Sequence, residues 1–114
     1  MRFLIISSSI REGRLSHRVA LFWQSYLARH GITPTLLDLQ EKQYPLFSER
    51  LKFMPSPPRE AVEVSEMVRE ADAVIIVAPE YNGSFPASLK NVIDLLNDEW
   101  RHKPVGISSV GANF

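Results

Sequence analysis

Two short stretches of this chain hold residue types that can do chemistry. The first is Ser7-Ser8-Ser9-Ile10-Arg11-Glu12-Gly13-Arg14-Leu15-Ser16-His17-Arg18, which follows the apolar run Phe3-Leu4-Ile5-Ile6. A strand, a loop rich in hydroxyls and arginines, then a helix is an arrangement that holds a phosphate. Backbone N–H groups and the helix dipole attract the anion, serine hydroxyls donate, and an arginine supplies a planar charged fork. Neither G-x-G-x-x-G nor G-K-[ST] occurs, so the dinucleotide fingerprint and the Walker A loop are both absent. Taken alone, the run also fits a solvated serine turn capping a helix.

The second stretch is Ala78-Pro79-Glu80-Tyr81-Asn82-Gly83-Ser84-Phe85-Pro86. Before it, Asp72 to Ala78 is a continuous β-branched run of the kind that forms a strand covered on both faces. After it, Phe85, Leu89, Val92, Ile93 and Leu96 recur at helical spacing, with Pro86 expected in the first turn, where a missing N–H costs nothing. This context puts the loop at the carboxyl end of a central parallel strand, where open α/β sheets bind ligands. An ordinary Asn-Gly turn has the same local residues, but not the strand before and the amphipathic helix after.

The elements that must position these loops alternate along the chain. Phe3–Ile6 is the first strand, and a helix follows with Leu15, Val19, Phe22, Trp23, Tyr26 and Leu27 on one stripe, ending at Gly31. Thr35–Leu39 reads as the second strand. The second helix runs from Arg59 to Glu70 after Pro57-Pro58, with Ala61, Val64, Val68 and Ala71 facing inward. Lys103–Val110 is the fourth strand, running into Gly111-Ala112. Such alternation demands a parallel α/β sheet, in one domain.

Gln40–Pro58 is too long for an ordinary βα loop of ~2–6 residues. It carries Tyr44, Pro45, Leu46, Phe47, Leu51, Phe53 and Met54, so it is expected to cover apolar surface, either this domain's own core or a second subunit. His30 is read as capping the end of the first helix and His102 as a surface turn residue.

Composition narrows the field from another side. With 114 residues, 45% of them hydrophobic, there is room for one core. Lys plus Arg and Asp plus Glu number 13 each, so no net field points to nucleic acid or an anionic membrane. No apolar run approaches the ~18 residues of a membrane span, and the cytoplasm is the expected compartment. Without cysteine there are no disulfides or cysteine-ligated clusters, and three scattered histidines argue against a zinc site.

Taken together, the two loops resemble those of the flavodoxin-like NAD(P)H-dependent FMN reductases, a family that includes azo-dye, quinone and chromate reductases. The first loop is similar to the family's Gly-Ser-x-Arg-…-Ser-x-Asn phosphate loop, with Ser9 and Arg11 at its Ser and Arg and Ser16 at its second Ser. Two departures from the pattern stand out: Ser8 stands at the usual Gly, and His17 and Arg18 fall where the family often has Asn. The second loop resembles the family's Pro-Glu-Tyr-Asn segment, which lies along the edge and face of the isoalloxazine ring.

The resemblance implies a flavodoxin-like doubly wound sheet of order 2-1-3-4-5, of which four strands are present here. Residues 1–114 would then be one domain shortened at its carboxyl end, leaving strand four as an edge. It implies FMN as cofactor, NAD(P)H as co-substrate, a small-molecule acceptor and a homodimer. Cofactor contacts are expected from Ser9, Arg11, Ser16, His17, Arg18, Pro79, Glu80, Tyr81, Asn82, Gly83, Ser84, Ser109 and Gly111, the last two matching the family's loop after strand four. Because hydride passes between nicotinamide and flavin, no catalytic side chain is expected. A non-catalytic FMN-binding electron carrier or redox sensor of flavodoxin type is the alternative.

Overall fold

A computed structural model of the chain describes residues 1–111. Its elements are β1 (Phe3–Ser7), α1 (His17–Arg29), β2 (Thr35–Asp38), α2 (Arg59–Glu70), β3 (Ala73–Pro79), α3 (Ala87–Leu95) and β4 (Val105–Val110). Single 3-10 turns lie at Leu51–Phe53 and Asp98–Trp100. Every strand pairing is parallel, in the order β2-β1-β3-β4, with Ile5 of β1 opposite Leu36 of β2 and Ile75 of β3.

The alternation of side chains along β1 and β3 explains why these strands are apolar throughout. Leu4, Ile6, Val74 and Ile76 enter one layer with Val64 and Val68 of α2 and Leu89 and Val92 of α3. Ile5 and Val77 enter the other, with Ala20 and Leu27 of α1. Both layers leave the carboxyl ends of β1 and β3 side by side, and the two chemistry-bearing loops leave from there.

The inner face expected for α2 is the buried one, Ala61, Val64, Val68 and Ala71. The stripe expected for α1 needs correction. Leu15 precedes the helix and is 66% exposed, and Phe22 and Tyr26 are also exposed. At 3.6 residues per turn, Val19, Ala20, Trp23 and Leu27 form the inward face, while Phe22 and Tyr26 form the next row round the cylinder. Pro86 also stands differently: at ψ 143° it caps α3 from outside, and its carbonyl accepts the amides of Leu89 and Lys90. Phe85 therefore lies before the helix and is exposed, not part of its apolar stripe. His30 does cap α1, its Nδ1 lying 2.8 Å from the Tyr26 carbonyl, and His102 is an exposed turn residue at φ 54°.

The long β2–α2 connection folds back on its own domain. Tyr44 and Leu51 pack on the core shared with α2 and α3. Asn91 of α3 clasps the segment, accepting the Phe47 amide at 2.7 Å and donating to the Pro45 carbonyl at 2.9 Å. Leu46, 87% exposed, and Phe53 remain outside that packing. β4 begins at Val105 rather than Lys103, whose ammonium instead donates to the carbonyls of Arg69 and Ala71. Among the described residues β4 pairs only with β3, and Ile107 is 72% exposed. The anticipated run into Ala112, with Asn113 and Phe114, lies outside the described residues.

Candidate functional site

Ser7 ends β1 and two further serines follow it, each held differently. Ser7 Oγ lies 2.8 Å from Nδ1 of His17. Ser8, fully buried, donates its hydroxyl to the Val77 carbonyl at 2.7 Å, while its own carbonyl accepts the Ser88 hydroxyl at 2.6 Å. Ser9 Oγ meets the Tyr81 hydroxyl at 2.6 Å, which joins the first loop to the second. Arg11 is exposed, its guanidinium 5.8 Å above the centre of the Tyr81 ring. Ser16 is buried directly before α1, where its carbonyl accepts the Val19 amide and its hydroxyl makes no capping bond.

Beyond β3 the chain makes a two-residue hairpin turn. Tyr81 and Ser84 exchange both amide–carbonyl bonds, at 2.9 and 3.1 Å, around Asn82 at φ 53° and Gly83 at φ 78°. Two consecutive left-handed residues define a type I′ turn, which is why Asn-Gly stands here. Added side-chain bulk at Gly83 would meet open space, so its requirement is conformational. The Glu80 carboxylate accepts the Gly83 amide at 2.5 Å and stiffens the turn, and the Glu80 amide donates to the Val110 carbonyl.

These loops border two adjoining clefts. A cavity of about 360 Å³ is lined by Ser9, Arg11, Arg14, Ser16, Tyr81 and Gly111 among others. A second, of about 580 Å³, is mostly apolar, bounded by Ile76, Ala78, Phe85, Leu89 and Ile107 together with Gly83, Ser84 and Ser109. Pro79 and Glu80 form a wall of both. Of the residues singled out from sequence, His17, Arg18 and Asn82 line neither cleft. His17 faces Ser7 and Asp38, Arg18 is exposed on α1, and Asn82 is exposed at the tip of the turn.

Sequence reasoning missed the pair that organises the first loop. Arg14 makes a two-pronged bond to Asp38, Nη1 to Oδ1 at 2.5 Å and Nη2 to Oδ2 at 2.6 Å, and Nη1 also donates to the Ser9 carbonyl at 2.8 Å. Both side chains are nearly buried, at 12% and 10% exposure. The Asp38 carboxylate also accepts the Gln40 amide at 3.0 Å and lies 3.8 Å from His17. Burial pushes the Asp38 carboxyl up, but the Arg14 hydrogen bond, the Gln40 amide and the charges of Arg14 and His17 hold it below the usual carboxylate range. The same hydrogen bond raises Arg14 against the effect of its burial. One signal was available: a carboxylate directly after Leu36-Leu37, at the carboxyl end of a strand, faces the region where α/β sheets act.

A parallel sheet of this order, with clefts over the carboxyl ends of β1 and β3, defines a flavodoxin-like α/β protein. The model of the family described as NADPH-dependent FMN reductase matches residues 1–114, and the chain belongs to that family. It is 28% identical over 127 residues to an NAD(P)H-dependent FMN reductase of Saccharomyces cerevisiae, covering 99% of this chain and 66% of the yeast protein. An FMN-dependent NADPH-azoreductase of Staphylococcus aureus is 32% identical over 114 residues, covering 94% of this chain and 58% of its own length. Among solved structures, the flavoenzyme NAD(P)H:(acceptor) oxidoreductase FerB of Paracoccus denitrificans superposes with a TM-score of 0.76 at 24% identity, over 95% of this chain and 59% of that one. The chain thus spans about three fifths of the length of these proteins.

Proposed function

We propose that this protein binds FMN, with the phosphate over the β1–α1 loop and the ring along Pro79–Ser84, and uses NAD(P)H to reduce a small-molecule acceptor such as a quinone, azo dye or flavin. One observation carries the reading: a cleft lined by the hydroxyls of Ser9, Ser16 and Tyr81 and by Arg11 and Arg14, with Glu12 and Glu80 also in its lining, shares the wall Pro79–Glu80 with an apolar cleft. A ligand with an anion at one end and a flat aromatic system at the other fits such a pair. Ser9, Arg11 and Ser16 would hold the phosphate, with His17 behind the loop at the start of α1 and Arg18 adding positive field from the same helix. Pro79, Glu80, Tyr81, Asn82, Gly83 and Ser84 would border the ring, and Ser109 of β4 and Gly111 just after it would close it.

Bound FMN would supply the two-electron relay between nicotinamide and acceptor. The chain's part is to hold the ring, leave one face open and place donors near its electron-rich edge. In the turn, the Gly83 and Ser84 amides are taken by Glu80 and Tyr81. The Asn82 amide has no acceptor among the described residues, but it stands at the tip of the turn, outside the lining of both clefts. Electron carriers commonly have an acidic docking face, and the balanced charge here, 13 basic against 13 acidic residues, favours reductase chemistry over electron carriage.

We further take residues 1–114 as the amino-terminal part of one flavodoxin-like domain, since the relatives are longer and the β4 edge carries exposed Ile107. A homodimer is our reading for the exposed Leu46 and Phe53 of the β2–α2 segment. No helix among the described residues is long and apolar enough to cross a membrane; the cytoplasm is proposed from the need for NAD(P)H. The test is to titrate the purified protein with FMN and with riboflavin, then follow NAD(P)H oxidation with a quinone. FMN uptake with turnover supports the reading. Uptake without turnover leaves an electron carrier, and no uptake of FMN overturns both.

A further inference from the structure

Three consecutive carbonyls of the first loop each accept a hydrogen bond. Arg14 takes the Ser9 carbonyl at 2.8 Å, and Gln40 Nε2 is shared between the carbonyls of Ile10 and Arg11 at 3.3 Å each. The Arg14 amide reaches the Arg11 carbonyl as well, at 3.3 Å. Because a trans peptide is planar, the N–H of the following residue points opposite to each carbonyl. The amides of Ile10, Arg11 and Glu12 therefore face away from Arg14 and Gln40, and none has an acceptor among the described residues. Arg11 and Glu12 line the polar cleft. Successive amides aimed together form a concave anion site without any charged side chain.

We infer that Asp38, Arg14 and Gln40 are positioning residues that hold the loop carbonyls back, so that the amides of Ile10, Arg11 and Glu12 receive the phosphate. The inference rests on the FMN reading above. Asp38 and Gln40 belong to the end of β2 and the residues just after it, so one rigid strand end anchors the whole loop. Arg14 suits this task because its fork engages both carboxylate oxygens of Asp38 and still reaches Ser9. The ammonium of a lysine lacks that planar geometry. Arg11, exposed and resting on Tyr81, adds charge to a site already built by the backbone.

The measurement is the ratio of riboflavin to FMN dissociation constants, from quenching of flavin fluorescence, in wild type and three variants. Gln40→Met removes the donor at similar size from an exposed position, with little consequence for folding. It should weaken FMN about threefold and leave riboflavin unchanged. Asp38→Asn should weaken FMN at least about tenfold, again sparing riboflavin. Arg14→Lys, which keeps the charge, should behave like Asp38→Asn rather than like wild type. A purely structural role would instead weaken both ligands together, leaving the ratio fixed whatever the change in thermal midpoint. If wild type prefers FMN while Gln40→Met and Arg14→Lys keep that preference, the positioning role is overturned and the FMN reading stands. If wild type fails to prefer FMN, the phosphate assignment falls and the inference with it.

Discussion

Tyr81 joins the two loops through one hydrogen bond, and the direction of that bond is measurable. Its hydroxyl lies 2.6 Å from Ser9 Oγ in a part-buried setting. A phenol is more acidic than an aliphatic alcohol, so Tyr81 is the better donor, and Ser9 then keeps its own proton free for an anion in the polar cleft. Tyr81→Phe removes the bond but keeps the ring that Arg11 rests on. A neutral, part-buried hydrogen bond contributes about 1 kcal/mol net, so FMN should bind roughly fivefold more weakly. Stability should fall by no more than about 1 kcal/mol. Riboflavin, which lacks the phosphate, should be nearly indifferent. The assay is a fluorescence titration of both flavins against both proteins, with urea unfolding as the control. Were Ser9 the donor instead, the substitution would release its proton toward the phosphate. FMN affinity unchanged or tightened in Tyr81→Phe therefore refutes the assigned direction.

Other expectations follow from the same geometry. Ser84→Leu, at an exposed position on the wall of the apolar cleft, should shift the flavin spectrum and slow single-turnover reduction by NADPH with little loss of stability; an unaltered spectrum and rate would remove ring contact from that position. Gly83→Ala should cost roughly 1–2 kcal/mol in urea unfolding, because its φ of 78° is left-handed although space is open; no loss would mean the turn relaxes. The Asp38 carboxyl is held below its ordinary value of about 3.9 in the folded chain, so its contribution is present above that pH and lost as pH falls through the folded value. The stability gap between wild type and Asp38→Asn should thus narrow from about pH 7 to about pH 3, and a constant gap in urea midpoints would refute the linkage. Leu46→Glu with Phe53→Glu should raise the dimer dissociation constant in sedimentation while leaving FMN affinity intact; a wild type that is monomeric at micromolar concentration would dispose of the dimer.

The fold was legible because its signals are local and repeated. β-Branched runs placed β1, β3 and β4 to within two residues, and helical spacing after Pro58 placed α2. The two loops were legible as neighbours because parallel alternation leaves the carboxyl ends of strands on one side. What could not be read was which side chain returns to which backbone atom. Arg11 and Arg14 are the same residue type three positions apart, and only the fold puts Arg14 against Asp38 and leaves Arg11 exposed. Asp38 reads as an ordinary strand-end residue until β2 is set beside β1, where it stands opposite Ser7. On α1, counting apolar residues could not separate Trp23, turned inward, from Phe22 and Tyr26, one row round.

The departures from the family's phosphate pattern gain a physical account from the same contacts. A glycine at position 8 would let the backbone approach an anion closely, and a serine there threatens to obstruct it. Ser8 avoids this by turning fully inward, where its hydroxyl bonds the Val77 carbonyl of β3 and its carbonyl is held by Ser88 of α3. The side chain thus ties the start of the loop to the neighbouring strand instead of entering the cleft. His17 is treated similarly, held between Ser7 and Asp38 rather than lining the polar cavity. Ser8 and His17 thus sit in the support beneath the loop, and on the proposed reading its backbone amides are left to meet the ligand. If that division of labour holds, Ser8→Gly should loosen the loop's attachment to β3 without improving FMN affinity. A tighter FMN complex in Ser8→Gly would mean that Ser8 obstructs the phosphate after all.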